Sequence, residues 1–195
     1  MKKKYILGSH NSWSFLQPQK CWQRLIAFTA RCQRVDIQQQ YALGVRCFDL
    51  RLRTDGNGGV WLAHGLADYS PQGLVDDLDF LNAQGGCMVR VIHETRRTGK
   101  TFTTAEQATF AKVCEELEKD FPKISFYGGL DVRSWQRIYK FRASRPTEDG
   151  CYASNMKPHL LDDWWPWLYA RTHNHKFREK GTNLDVLVLD FVDVT

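Results

Sequence analysis

His10, Arg51 and His64 are side chains suited to acid, base and anion chemistry, and each stands at the end of a short β-rich run. Tyr5-Ile6-Leu7 leads into Gly8-Ser9-His10-Asn11, Gly44-Val45-Arg46-Cys47-Phe48-Asp49-Leu50 into Arg51, and Val60-Trp61-Leu62-Ala63 into His64-Gly65. Imidazoles titrate near neutral pH, so one can take a proton from an attacking hydroxyl while the other gives one to a leaving oxygen. A guanidinium between them can fork onto phosphate oxygens and hold the charge that builds there. This set suits cleavage of a phosphodiester, and it needs a carboxylate to orient one imidazole. Plainer readings stand beside it: a strand-end histidine can be a structural hydrogen-bonding group, and Arg51 can simply pair with Asp49 or Asp68.

These residues must be held by elements the pattern makes legible. Cys21 to Phe28 has helix-like apolar spacing, and residues 36 to 43 read as a helix capped by Asp36 and stopped at Gly44. The turn-rich Thr54-Asp55-Gly56-Asn57-Gly58-Gly59 predicts a hairpin between the second and third strands. Ser70 as N-cap and Pro71 at the first position predict a helix that Gly85-Gly86 closes. A fourth strand, Met88 to Glu94, precedes a helix over Thr104 to Asp120. Further strands are expected at Ile124 to Tyr127, at Cys151 to Ser154 and, most strongly, at Asp185 to Asp193. A helical piece is read at residues 134 to 141, a turn at 146 to 150, and an aromatic helix at 160 to 180. Apolar strands alternating with helices predict an α/β fold with a largely parallel sheet. Polar groups at strand C-termini point to a distorted or incomplete TIM (β/α) barrel of six or seven strands, in one domain over 1 to 195. A doubly wound open sheet is the alternative, without a glycine-rich nucleotide fingerprint to support it.

Gly8-Ser9-His10-Asn11-Ser12, Gly44 to Arg51, and Ala63-His64-Gly65 resemble, in order and spacing, the X-domain of phosphatidylinositol-specific phospholipases C. The likeness extends less clearly through Ile92-His93-Glu94 and Leu189-Asp190-Phe191-Val192. It implies His10 as general base on the inositol 2-hydroxyl, His64 as general acid for the diacylglycerol oxygen, and Arg51 on the phosphoryl group, as in bacterial metal-independent members. Asp190 would orient His10, with Asp193 the alternative, and Asp49 and Asn11 would complete the network. The implied product is a cyclic inositol phosphate. Asn11, Asp49 and Glu94 are also the residue types that calcium-dependent relatives use as ligands, so calcium is kept as the alternative to no cofactor. Glu94 can equally be a supporting partner or a surface group, and His93 reads as structural.

Arg96, Arg97 and Lys100 follow Glu94 as a basic loop that can steer an anionic head group or simply be solvated, and Arg96 is a candidate substrate contact. Trp164, Trp165 and Trp167 read first as helix packing and second as a lipid-facing or substrate rim, with Trp164 the candidate contact. The net charge of +5 fits an anionic substrate or surface and is too small to argue for nucleic acid. No apolar run is long enough for a transmembrane helix. Met1-Lys2-Lys3-Lys4 is followed by too few apolar residues for a signal peptide, so the expected location is cytoplasmic, with peripheral membrane contact open. The six cysteines lack zinc-site spacing and read as reduced, mostly buried thiols, with disulfides the alternative that an even count allows. Two other functions are weighed: a metal-dependent glycerophosphodiesterase-like enzyme or hydrolase of a soluble inositol or glycerol phosphodiester, and a non-catalytic phosphate-binding barrel.

Overall fold

The computed structural model describes residues 5–95, 101–129, 151–153, 164–180 and 185–194. The basic loop at Arg96, Arg97 and Lys100, the helical piece at 134–141 and the turn at 146–150 lie outside them. In chain order the elements are β1 (Ile6–Ser9), α1 (Cys21–Leu25), α2 (Ala27–Ala30), α3 (Ile37–Ala42), β2 (Val45–Thr54), β3 (Val60–His64) and β4 (Ala67–Tyr69). They continue with α4 (Leu74–Gln84), β5 (Met88–His93), α5 (Thr104–Asp120), β6 (Ser125–Gly129), β7 (Cys151–Ala153), α6 (Pro166–Lys180) and β8 (Val186–Leu189).

Local signals set several of these ends. The Asp36 carboxylate accepts the Gln39 amide at 2.8 Å at the start of α3. Thr103 and Glu106 form a capping box that opens α5. The Asp55 side chain accepts the amides of Asn57 and Gly59, closing the hairpin between β2 and β3. Three expectations are corrected. The helix read over Cys21 to Phe28 breaks at Ile26 into α1 and α2. Ser70 and Pro71 make a turn, in which the Leu74 amide reaches the Pro71 carbonyl, and α4 begins after Gly73, whose φ of 84° no capping side chain replaces. The short β4, too brief for a periodic signal, adds an eighth strand.

The sheet runs β4-β3-β2-β1-β8-β7, with β5 on β2 and β6 on β5. β2 is long enough to serve three neighbours. Residues 47–52 pair with β5 on one edge, while β1 takes the start of the other edge and antiparallel β3 takes its end. First and last strands lie side by side in parallel, Ser9 opposite Leu189. Among the described residues no pairing joins β6 to β7, so the sheet is open there. It is a mixed α/β fold in which helices carry the parallel crossovers.

Side chains alternate across the strands with period 2. On one face Phe48, Leu50, Leu52, Val89, Val91, Leu187 and Leu189 join the main core with Phe110 and Leu117 of α5. Each such side chain, fully covered, contributes about 1.5–3 kcal/mol of burial free energy. The other face starts apolar, with Cys47, Val186, Val188 and Tyr127. Farther along it turns polar, because Asp49 and Arg51 on β2, Arg90 on β5 and Asp190 after β8 keep the same alternation. The apolar layer is close-fitting: a Cβ at Gly8 would stand 3.0 Å from Val188 Cγ2 and 3.3 Å from Cys47 Cβ.

Candidate active site

His10 stands one residue past β1 and Asp190 one residue past β8, so the parallel pairing of those strands brings them together. Asp190 Oδ1 lies 2.7 Å from His10 Nδ1. The other ring nitrogen, Nε2, is 2.8 Å from Arg51 Nη2. A guanidinium only donates, so Nε2 accepts, and the ring proton sits on Nδ1 facing Asp190. The backbone turns sharply after each residue: Asn11 and Phe191 are the described non-glycine residues at positive φ, 41° and 46°. Asparagine tolerates that region, whereas a phenylalanine there is strained. Gln33 stitches the same point, its amide donating to the His10 and Leu189 carbonyls and accepting from the Val192 amide.

Arg51 reaches in three directions. Besides His10, its Nε donates to Asp49 Oδ2 at 2.8 Å and its Nη1 to Glu94 Oε2 at 3.1 Å. Asp49 also accepts the Asn11 amide at 2.9 Å and Arg90 Nη1 at 3.0 Å. Burial alone would raise the Asp49 carboxyl, but Arg51, Arg90 and His10 outweigh it and hold the group well below the usual carboxylate range. Burial likewise works against charge on Arg51, and Asp49 and Glu94 reverse it, so the guanidinium keeps its proton more tightly than usual. Glu94 is lowered in the same way: burial raises it, while Arg51 and His64 prevail. Its second oxygen accepts the Gly65 amide at 3.1 Å, tying β5 to the turn after β3.

His64 faces His10 across the cluster, ring centroids 5.2 Å apart and planes nearly perpendicular. Its Nδ1 lies 2.8 Å from the Ala30 carbonyl, which fixes a proton there. Burial, then the charges of Arg51 and His10, push its pKa down to about 4, against the pull of Glu94 and the Ala30 carbonyl. A nitrogen of each ring lies within 4.8 Å of the other, so both imidazoles border one small space at the edge of the cluster.

Of the sequence candidates, His10, Asn11, Asp49, Arg51, His64, Glu94 and Asp190 come together. Asp193 instead pairs with Arg34, and Asp68 with Arg53, so neither competes for His10 or Arg51. Arg96 lies outside the described residues. Trp164 is 66% and Trp165 52% exposed, which corrects the reading of these two as core packing. Trp165 meets Phe28 of α2 edge to face. His93 is structural, stacked between Phe102 and Phe110 with Nε2 on the Thr54 hydroxyl.

Two members went unread. Arg90 is the most bulky of the fully buried side chains among the described residues, and a lone charge inside Met88-Val-Arg-Val-Ile is its signal. Cys32 follows α2 and puts its sulfur 3.8 Å from His64 Nδ1. Nothing in the local cysteine spacing marks it.

The arrangement is a mixed α/β sheet whose charged cluster joins His10, Glu94 and Asp190, just past β1, β5 and β8, to Asp49 and Arg51 inside β2, Arg90 inside β5 and His64 at the end of antiparallel β3. β2 runs on to Thr54, which corrects the expectation that it ends at about Arg51. No family model matches the chain, and no curated protein matches it in sequence. Among solved structures the fold is similar to phosphatidylinositol-specific phospholipase C from Listeria monocytogenes, with a TM-score of 0.61 and 14% identity over 95% of this chain and 87% of that one. It is also similar to variants of the phosphatidylinositol-specific phospholipase C from Staphylococcus aureus. One has a TM-score of 0.61 at 15% identity, covering 100% of this chain and 87% of that one. Another has a TM-score of 0.58 at 14% identity, covering 100% and 90%. At such identities the likeness is one of fold.

Proposed function

We propose that the chain is a phosphodiester-cleaving enzyme of the phosphatidylinositol-specific phospholipase C type. The observation that carries this reading is the alignment Asp190, His10, Arg51, with the His64 ring 5.2 Å from His10. Simple anion binding has no use for an imidazole oriented by a carboxylate opposite a second imidazole, which weighs against a non-catalytic barrel. When the diester enters, the Arg51 Nη2 donor moves from His10 to a phosphate oxygen, freeing His10 Nε2 to accept the proton of the inositol 2-hydroxyl. The hydroxyl oxygen bonds to phosphorus, the bond from phosphorus to the diacylglycerol oxygen breaks, and His64 protonates that oxygen. The products are a cyclic inositol phosphate and diacylglycerol. His64 is neutral in the empty site at pH 7, and the negative charge of the bound diester raises its proton affinity. Asn11 Nδ2, buried and without a partner among the described residues, is assigned to a hydroxyl of the substrate.

Charge stabilisation is assigned to Arg51 rather than to calcium. Calcium takes six to eight oxygen ligands. The oxygens of Asp49 and Glu94 already accept from Arg51, Arg90 and the amides of Asn11 and Gly65. The residues therefore do not fit that ion.

A lipid substrate needs the protein at a bilayer surface. Among the described residues no helix is long and apolar enough to cross a membrane. Trp22, Leu25 and Phe28 on α1 and α2 are half or more exposed, as are Trp164 and Trp165 before α6. Arg24, Arg31 and Arg34 line a groove of about 490 Å³ beside them. Aromatic tips with basic neighbours suit an anionic lipid interface. Head-group release from phosphatidylinositol in the presence of EDTA, abolished in both His10→Ala and His64→Ala, is the expected result. Activity that vanishes with chelator and returns with calcium would overturn the assignment to Arg51, and phosphate binding without turnover of any diester would leave the barrel a binding module.

A further inference from the structure

The mouth of the site carries one donor that phosphodiester chemistry does not use, the Cys32 sulfur, beside the two imidazoles. A nitrogen of His10, the sulfur of Cys32 and a nitrogen of His64 all lie within 4.8 Å of one another. The spread is about 1 Å more than a closed tetrahedral site requires, since zinc bonds of about 2.0–2.3 Å set ligand atoms roughly 3.5 Å apart. Small side-chain rotations close that gap, and half-buried His64 has room for them.

His10 already has the outer partner typical of metal-bound histidine, Asp190 on Nδ1, whereas His64 Nδ1, the nitrogen 3.8 Å from the Cys32 sulfur, is the one on the Ala30 carbonyl and would leave it to bind a metal. Cys32 is held by its backbone, its amide on Ser14 Oγ at 2.9 Å and its carbonyl on the Phe191 amide at 2.6 Å. The cluster sets three carboxylates against two guanidiniums: Asp49 and Glu94 pair with Arg51, Asp49 also with Arg90, and Asp190 with His10. Arg51 would give up only its contact to His10, keeping Asp49 and Glu94.

We propose that His10, Cys32 and His64 form a binding site for a borderline-soft divalent ion of the zinc type, which silences the enzyme by occupying its acid and base. The Cys32 thiol loses its proton to solvent as the sulfur–metal bond forms, and a solvent molecule fills the fourth position. Nitrogen and sulfur donors select zinc or cobalt over calcium or magnesium. The silencing rests on the function proposed above; the binding does not.

The test uses the full chain stripped with EDTA and dialysed, in a Cys21→Ser background that removes the one exposed thiol among the described residues. Cobalt(II) should bind one to one with a thiolate-to-cobalt charge-transfer band, and zinc should displace it. Cys32→Ser should lose the band and weaken zinc binding at least about tenfold, since even outer partners of metal ligands are worth about 10–100-fold. Absence of the band in the Cys32-containing protein overturns the site without recourse to a variant, as does equal zinc affinity in Cys32→Ser. Zinc should inhibit release of inositol phosphate reversibly, and Cys32→Ser should resist it. If zinc binds with the band but leaves cleavage unaffected, the silencing is wrong. A protein that shows the band and cleaves no diester would sink the enzymatic reading and leave the metal site standing.

Discussion

Arg51→Lys separates the geometry of the site from its charge. The guanidinium satisfies Asp49, Glu94 and His10 at 2.8, 3.1 and 2.8 Å from three different nitrogens. A lysine ammonium keeps the charge but sits at the end of a single stem and cannot face all three. Asp49 retains Arg90 and the Asn11 amide, and Glu94 retains the Gly65 amide, so neither carboxylate is stranded. Hydrogen bonds to charged groups contribute about 1.5–3 kcal/mol each, and losing one or two while keeping the charge gives a stability loss of about 2–4 kcal/mol. For turnover the fork on the phosphate is gone. Removing one such donor costs about 10²–10³ in kcat. The assay is release of soluble inositol phosphate from phosphatidylinositol micelles in EDTA, with urea unfolding in parallel. Folded Arg51→Lys should lose at least about 100-fold in kcat with a small change in KM. A variant within fivefold of wild type, or one affected only in KM, would refute the placement of this guanidinium on the reacting phosphate.

Asp190→Asn should leave the fold intact and lower kcat about 10²–10⁴-fold, because the amide no longer selects the tautomer with its proton on Nδ1; a rate close to wild type would show that Asp190 does not orient His10. Stability should fall as pH drops from 6.5 toward 4. His64 and His93 both have pKa values pushed down to about 4 by burial, so across that window the unfolded chain takes up protons the folded one refuses. Urea midpoints should show this, with a shallower decline in His93→Gln, which keeps a side-chain amide near Thr54; an unchanged slope would contradict it. Gly128→Ala should not accumulate as folded protein, since its Cβ would lie 1.8 Å from the Val91 carbonyl oxygen at a φ of 127°. Gly8→Ala should fold and lose about 1–3 kcal/mol, the usual cost of overpacking, and soluble expression with thermal unfolding would compare the two.

What could be read from the chain was local. Asp36, Thr103 with Glu106, and the glycine-rich turn after Thr54 act within a few residues, and α3, α5 and the hairpin follow them. Where two local signals compete, the stronger one is not marked in the sequence. Ser70-Pro71 has the chemistry of a helix start, yet Gly73 three residues on adopts a left-handed turn and begins α4. The steady apolar spacing of Cys21 to Phe28 hid the break at Ile26, and three-residue β4 exists through its pairing with β3.

The sequence by itself determined which residues stand at strand ends: period 2 fixes that Asp49 and Arg51 share a face, and apolar runs end where His10, His64 and Asp190 begin. Only the tertiary structure decided who meets whom. The register of β1 on β8, linking residues 180 positions apart, hands His10 to Asp190 and leaves Asp193 to Arg34. The register of β2 on β5 sets Asp49 opposite Arg90, and the bend after α2 carries Cys32 to His64. Such contacts depend on pairing and close packing between distant segments, and no spacing along the chain encodes them.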